Sequence, residues 1–214
     1  MSSKNLDTRD KILDSAWKLL VGDGSSAVRM SDIAKLTGIS RQAVYLHFPS
    51  RAELLVATTR YIDQVKDVDE RLAASRHAAS GLERLDAFVD AWGNYIPEIY
   101  GVASALIAMQ AVDDEARAAW TDRMNAVRHG CEAAVVALKK DGDLSGKLSQ
   151  SEATDLLWGL LSVENWDDLR QRCGWSQSRY IKVMQQTARQ ILVACLVSGP
   201  AIRPQVHVLT RLSA

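Results

Sequence analysis

Proline and aromatic residues are scarce in this chain: four prolines, and 6% Phe, Trp and Tyr, in 214 residues. Few prolines leave long stretches free to stay helical, and few aromatics beside abundant Ala, Leu and Val argue against a strand-rich fold. Cysteines number only three, Cys131, Cys173 and Cys195, far apart and in no CxxC spacing. That pattern excludes a disulfide scaffold and a cysteine metal site, and is expected of buried thiols in a reducing compartment. No run approaches the roughly 18 apolar residues of a membrane span. The opening MSSKNLDTRDK has no apolar h-region of a secretory signal. A cytoplasmic protein with no membrane association is expected. GxSxG, P-loop, HExxH and dinucleotide fingerprints are also missing, and no cysteine has the context of a nucleophile. No enzyme, cofactor or metal is therefore expected.

Net charge is absent as well, with 26 basic against 26 acidic side chains, so the total names no partner. The distribution says more. The first 60 residues hold nine Lys and Arg against six Asp and Glu, a surplus of three, and the remainder holds 17 against 20. A mildly basic head on an acidic body suits a nucleic-acid-binding end. At 47% apolar and 24% charged, the chain has the make-up of a globular protein with a real core.

Hydrophobic spacing predicts an all-α fold. Ile12, Leu13, Ala16, Leu19 and Leu20 mark a first helix over Thr8–Val21, ended by GDGSS. A second runs over Ser31–Thr37, stopped by Gly38, and a third over Arg41–His47. Ser50 and Glu53 have the spacing of a capping box that opens a fourth helix, drawn to Ala78. Helices over Leu82–Ile96, stopped at Pro97, and over Glu98–Ala111 follow. Asp114–Lys140, Ser149–Cys173 and Ser176–Val197 complete the set, with an irregular tail AIRPQVHVLTRLSA.

The second and third helices have the arithmetic of a helix-turn-helix. Ala34 is small where two helices cross, Gly38 admits a positive φ at the turn, and Val44 ties the short third helix to a core shared with Ile33, Ile39 and Phe48. Seven residues are too few for an independent helix, so packing must hold it. Ser40 precedes it. Its outward face is Arg41, Gln42, Tyr45 and His47, with Ala43 and Leu46 at the edges. Arg offers a bidentate fork to guanine and Gln pairs with adenine, while Tyr and His suit phosphate.

The stretch DIAKLTGISRQAVYLHFPSRAELL, Asp32–Leu55, resembles the tetracycline-repressor (TetR) family of regulators, most specifically in its Tyr-x-His-Phe tip followed by Ser-Arg. The likeness is strong over Asp7–Ile62, and LLSVENWDDLRQRCGWSQSRY, Leu160–Tyr180, is similar to the closing helices of many members. The resemblance implies a DNA-binding domain over 1–55 and a ligand-binding and dimerisation domain over 56–214, with the fourth helix bridging them. It implies a homodimer on a double-stranded DNA operator, released by a small hydrophobic or amphipathic effector. The alternative is a DNA-binding regulator with no small ligand, controlled by a protein partner. By position, Arg41, Gln42, Ala43 and Leu46 would face bases, and Tyr45, His47 and Arg51 phosphates. Arg29 stands where the family often has a hydroxyl residue that caps the second helix; Arg29 would reach phosphate instead, with Ser31 taking the cap. Arg51 stands where Lys is usual, which keeps the charge and changes the geometry.

Bundle cavities are mostly apolar with a few polar groups. The candidates to line one are Trp92, Tyr95, Tyr100, Met109, Trp120, Met124, Trp158 and Asn165, with Asn94, Gln110, His129 and Glu164 as further polar anchors. Tyr180, Met184, Thr187, Ala188, Ile191 and Cys195 form a stripe suited to a partner helix, either across a dimer or within the chain. DGDLSGKLSQSE, Asp141–Glu152, nearly fits a calcium loop, but Ser149 and Glu152 are equally a capping box and no second loop of the kind accompanies it.

Overall fold

A computed structural model describes residues 7–22 and 28–194 of the chain. At its N-terminal end, α1 (Thr8–Gly22), α2 (Met30–Thr37) and α3 (Arg41–His47) form a small helical head. α1 buries Ile12, Leu13, Ala16 and Leu20 and packs on α2, which buries Met30, Ile33 and Ala34 and packs in turn on α3, where Val44 is buried in the same core. Gly38 has the expected left-handed conformation, φ 76° and ψ 28°. It lets the Gly38 and Ile39 amides return to the Lys35 and Ala34 carbonyls at 3.3 and 3.0 Å, closing the end of α2. Ser40 then caps α3 by accepting from the Ala43 amide at 3.1 Å. Phe48 breaks the helix with an extended backbone and drops its ring into the core.

Ser50 caps α4 (Arg51–Val65), accepting from the Glu53 amide at 3.2 Å. α4 packs on α1 on one side and on α8 (Asp114–Asp141) on the other. It stops at Val65 rather than running to Ala78, because Asp67 turns left-handed at φ 53°. Two single-turn helices follow, α5 (Val68–Arg71) and α6 (Ala73–Arg76).

The body is organised on α7 (Gly81–Met109) and α8, whose pairing is the most extensive in the fold. Gly81 opens α7 so close to α8 that a Cβ there would lie 2.5 Å from the Leu138 amide nitrogen. The expected stop at Pro97 does not occur: α7 passes straight through it. Proline has no N–H to give the carbonyl four residues back, which here is Gly93. That carbonyl instead accepts from the side-chain amide of Gln177 at 2.7 Å. Gln177 opens the last helix, α11 (Gln177–Leu192), so a neighbouring helix repairs the break.

The helix drawn over Ser149–Cys173 is three pieces: α9 (Gln150–Leu160), α10 (Val163–Asp167) and a wide π-type turn, Asp168–Arg172. Ser162 is extended and its hydroxyl caps α10 through the Asn165 amide at 3.1 Å, which is why the chain bends without Gly or Pro. α11 ends at Leu192, earlier than expected, because Val193 is extended and bridges to Leu144. Cys195, Val197 and the tail lie outside the described residues. Over its described part, the stripe along α11 packs mainly within the chain. Tyr180, Met184 and Ala188 are buried within the chain, Thr187 is half-buried, and Ile191 is exposed. Cys131 is buried as expected, whereas Cys173 is exposed just past the π-type turn.

The calcium-like loop is occupied by structural tasks. Asp141 accepts from the Gly81 amide at 2.6 Å, Gly142 is left-handed at φ 83°, and Ser149 and Glu152 form a complete capping box. Ser149→Ala is expected to lower stability by about 1 kcal/mol, read as a shift in urea midpoint at constant slope. No helix among the described residues is long and apolar enough to cross a membrane.

Candidate nucleic-acid interface and effector cavity

Val44 and Phe48 pin α3 from beneath and leave its other face open. Arg41, Gln42, Tyr45, Leu46 and His47 are exposed there, and Ala43 is half-buried. Leu46 is 82% exposed on the same face. The Arg41 guanidinium lies 5.4 Å from the Tyr45 ring centroid and donates to its hydroxyl at 3.2 Å. Tyr45 therefore orients Arg41 before any partner arrives. Both residues border one open hollow with Arg29, Ser31 and Arg51, and with Glu115 from α8. His47 borders a different hollow, beside Arg9 and Arg60. Ser40 serves α3 as its cap, as described above.

Ser31 and Arg51 differ from expectation. α2 begins at Met30, one residue early, so Ser31 sits inside the first turn and Arg29 holds the cap position with no side-chain cap. The Ser31 hydroxyl instead donates to the Asp32 carboxylate at 3.4 Å. Arg51, expected on phosphate, is turned inward and only 13% of its side chain is exposed. Its Nε donates to the Val28 carbonyl, and its Nη1 donates to Asp113 and to Glu115, each at 3.0 Å. Asp113 is the N-cap of α8, accepting from the Glu115 and Ala116 amides at 3.1 Å. Arginine's planar fork suits several acceptors at once, where a lysine ammonium would be a single point charge. Burial opposes the charge on Arg51, but its bonds to Asp113 and Glu115 outweigh that and raise its pKa. Burial likewise works against the Asp113 carboxylate, and Arg51 with the α8 amides holds its pKa below the usual range.

In the body, a cavity of about 240 Å³ is bounded by residues from α4, α5, α6, α7 and α8. It gathers two of the expected lining residues, Trp92 and Tyr95, with Phe88. Its polar residues are Asp63, Arg71, Arg76 and Arg123. The Tyr95 hydroxyl donates to one Asp63 oxygen at 2.7 Å and Arg123 pairs with the other at 3.0 Å. Burial raises the pKa of Asp63 even so, and burial beside Asp63 pushes the Tyr95 phenol far up.

Trp120, Met124 and Trp158 border a separate cavity of about 290 Å³, with Gln110 and Glu164. Tyr100, Met109 and Asn165 border neither cavity. Tyr100 donates to Asp167, a bond that with burial pushes its pKa up to about 12. Met109 is core, and the Asn165 amide donates to the Leu160 carbonyl at 2.7 Å. Sequence reasoning passed over Asp63, Arg71, Arg76 and Arg123. The available signal was charge set next to apolar residues, as at Asp63 after the buried Ile62.

Residues 12–58 match the family described as bacterial regulatory proteins, tetR family. The HTH-type transcriptional regulator BetI of Rhizobium meliloti is 35% identical over 81 residues, 38% of this chain and 39% of the relative. The chain thus spans about two-fifths of the length of the curated relatives it matches. Likeness of fold extends further. A TetR-family transcriptional regulator from Rhodococcus sp. superposes with a TM-score of 0.69 at 20% identity, covering 86% of this chain and 98% of that one. A transcriptional regulator from Saccharomonospora viridis, solved in complex with choline, gives 0.65 at 22% identity, covering 86% and 97%. Residues 12–58, which carry the helix-turn-helix, thus match the tetR family of bacterial regulatory proteins, and the all-α fold is shared with these neighbours over 86% of the chain.

Proposed function

We propose that the chain is a cytoplasmic, ligand-responsive DNA-binding regulator, acting as a repressor that leaves its operator when a small effector enters the body. The observation that carries this is α3: seven residues anchored by Val44 and Phe48, presenting Arg41, Gln42, Tyr45 and Leu46 to solvent. Residues 1–55 form the DNA-binding part and residues 56–214 the effector and dimerisation part, with α4 crossing between them. Arg41 and Gln42 read base edges in the major groove. Ala43 and Leu46 pack on bases, and Tyr45, His47 and Arg29 meet phosphate, with Ser40 and Ser31 near the backbone. Arg51 is assigned to the head–body junction rather than to phosphate, because Asp113 and Glu115 hold it. A homodimer places two such helices in successive grooves. The choline complex of a neighbour of the same fold supports a small-molecule effector over a protein partner, as does a partly open, aromatic-lined cavity with several polar groups.

Selection of bound duplexes from a randomised pool, using the full chain, is expected to return a palindromic operator. Arg41→Ala is then expected to lose about 1–3 kcal/mol of discrimination at one base pair per half-site, read by fluorescence anisotropy across single-base operator variants. A pool with no enriched sequence would end the proposal, and an unchanged specificity profile for Arg41→Ala would displace the register of α3.

A further inference from the structure

Resting on the cavity's proposed role as the effector site, we propose that it is built for a small organic anion: an aromatic or medium-chain carboxylic acid, rather than a cation or a neutral molecule. Charge gives the first argument. Among the lining residues, Arg71, Arg76 and Arg123 face a single carboxylate, Asp63. Widening the tally to the ion-pair partners Lys66, Glu98 and Asp69 still leaves four cations against three anions. Glu98 is shared between Lys66 at 3.2 Å and Arg71 at 2.7 Å, so one carboxylate serves two cations. Arg76 pairs with Asp69, which is 92% exposed. A pair so wet is weak, and a carboxylate arriving from the cavity side displaces it at little loss.

The aromatic walls give the second argument. A cation would bind by resting on an aromatic face or against a free carboxylate. The two electron-rich rings already carry cations: the Arg123 guanidinium lies 5.6 Å from the Trp92 centroid and 5.8 Å from that of Tyr95, and Arg71 lies 5.8 Å from Tyr95, which leaves Phe88 alone without one among the three lining rings. The carboxylate is taken too, since Asp63 receives Tyr95 on one oxygen and Arg123 on the other. A carboxylic acid meets the opposite situation. Guanidinium forks offer bidentate, charge-assisted bonds, and Phe88, Trp92 and Val127 offer an apolar floor. Size sets the limit: about 240 Å³ falls below the roughly 300–1,000 Å³ of drug-sized pockets, which suits a single ring or a short chain.

The test uses the DNA-free full chain with two matched probe sets, titrated by calorimetry and tryptophan fluorescence at neutral pH and constant ionic strength. One set is 3-phenylpropionate, 3-phenylpropanol and 3-phenylpropylamine; the other is octanoate, octanol and octylamine. The acid of at least one set is expected to bind once per chain, about tenfold or more tighter than its alcohol, with no binding of the amine. The Arg71→Gln/Arg76→Gln double variant is expected to erase that preference, so that acid and alcohol bind alike; its circular dichroism and thermal midpoint report whether the fold is kept. An alcohol or amine that binds as tightly as its acid overturns the anion assignment and leaves the cavity standing as an effector site. Failure of all six probes on folded wild-type protein removes both.

Discussion

Replacing Arg51 with Gln is expected to lower the stability of the chain by about 2–3 kcal/mol and to leave the salt dependence of operator affinity unchanged. The first figure follows from removing one partner of a largely buried ion pair, which costs about 3–5 kcal/mol when burial is complete and less here, where Glu115 remains 42% exposed. Asp113 keeps its bonds to the α8 amides, so the loss stays below the upper figure. Denaturant unfolding of the single variants and of Arg51→Gln/Asp113→Asn should show a coupling above about 1 kcal/mol. The second expectation separates the junction from a phosphate contact. Each lost phosphate contact flattens the slope of log affinity against log salt by about 0.9. A flattened slope in the variant would return Arg51 to the DNA. The pair also carries a pH signature. Asp113 is held below its ordinary pKa, so its contribution is complete above the usual carboxylate range. It fades as pH falls through the lowered value.

Gln177→Leu is expected to lower stability by about 2–4 kcal/mol, although its side chain is only half-buried and touches no candidate site. The cause is the number of groups it satisfies. Its amide donates to the Gly93 carbonyl that Pro97 leaves unpaired, and its oxygen accepts from the Trp166 indole at 3.2 Å and from Arg170 at 3.1 Å. A buried donor or acceptor left without a partner costs about 1–3 kcal/mol. Close packing adds to this, since a Cβ on Gly93 would lie 3.1 Å from Ile181 on α11. Pro97→Ala returns a backbone N–H to Gly93, so in the Gln177→Leu background it should recover about 1 kcal/mol or more. Urea unfolding of the four proteins in that cycle measures it, and strict additivity of the two changes would show that Pro97 and Gln177 are not coupled.

The two cases show where the sequence is transparent and where it is not. The head was legible because each residue acts on its neighbours: Gly38 ends α2 by its own φ, Ser40 and Ser50 cap the helices that follow them, and Val44 marks the inward side of α3. The helix count in the body was misjudged where distant partners decide. Pro97 reads locally as a stop, and only Gln177, 80 places later, makes it tolerable. Ser162 and Asp67 bend the chain with no Gly or Pro to announce it. The cavity was half legible for the same reason. Trp92 and Tyr95 stand out as large aromatics on one helix, but Asp63, Arg71 and Arg123 become a cluster only when α4, α5, α7 and α8 meet. Arg51 reads in sequence as a phosphate contact, yet the carboxylates that hold it, Asp113 and Glu115, lie more than sixty residues away.

α4 carries Arg51 at one end and Asp63 at the other, twelve residues apart, or about 18 Å along a single helix. If one rod reports the cavity to the junction, it also reports the junction to the cavity, because coupling free energy between two sites is reciprocal. A protomer seated on its operator then holds the effector less tightly than a free one, by the same factor by which effector loosens DNA. Unbound copies become a sink that fills first. On the proposed repressor reading, and where effector is scarce relative to regulator, the effector level at which the operator clears would then depend on the abundance of the regulator as well as on its affinity.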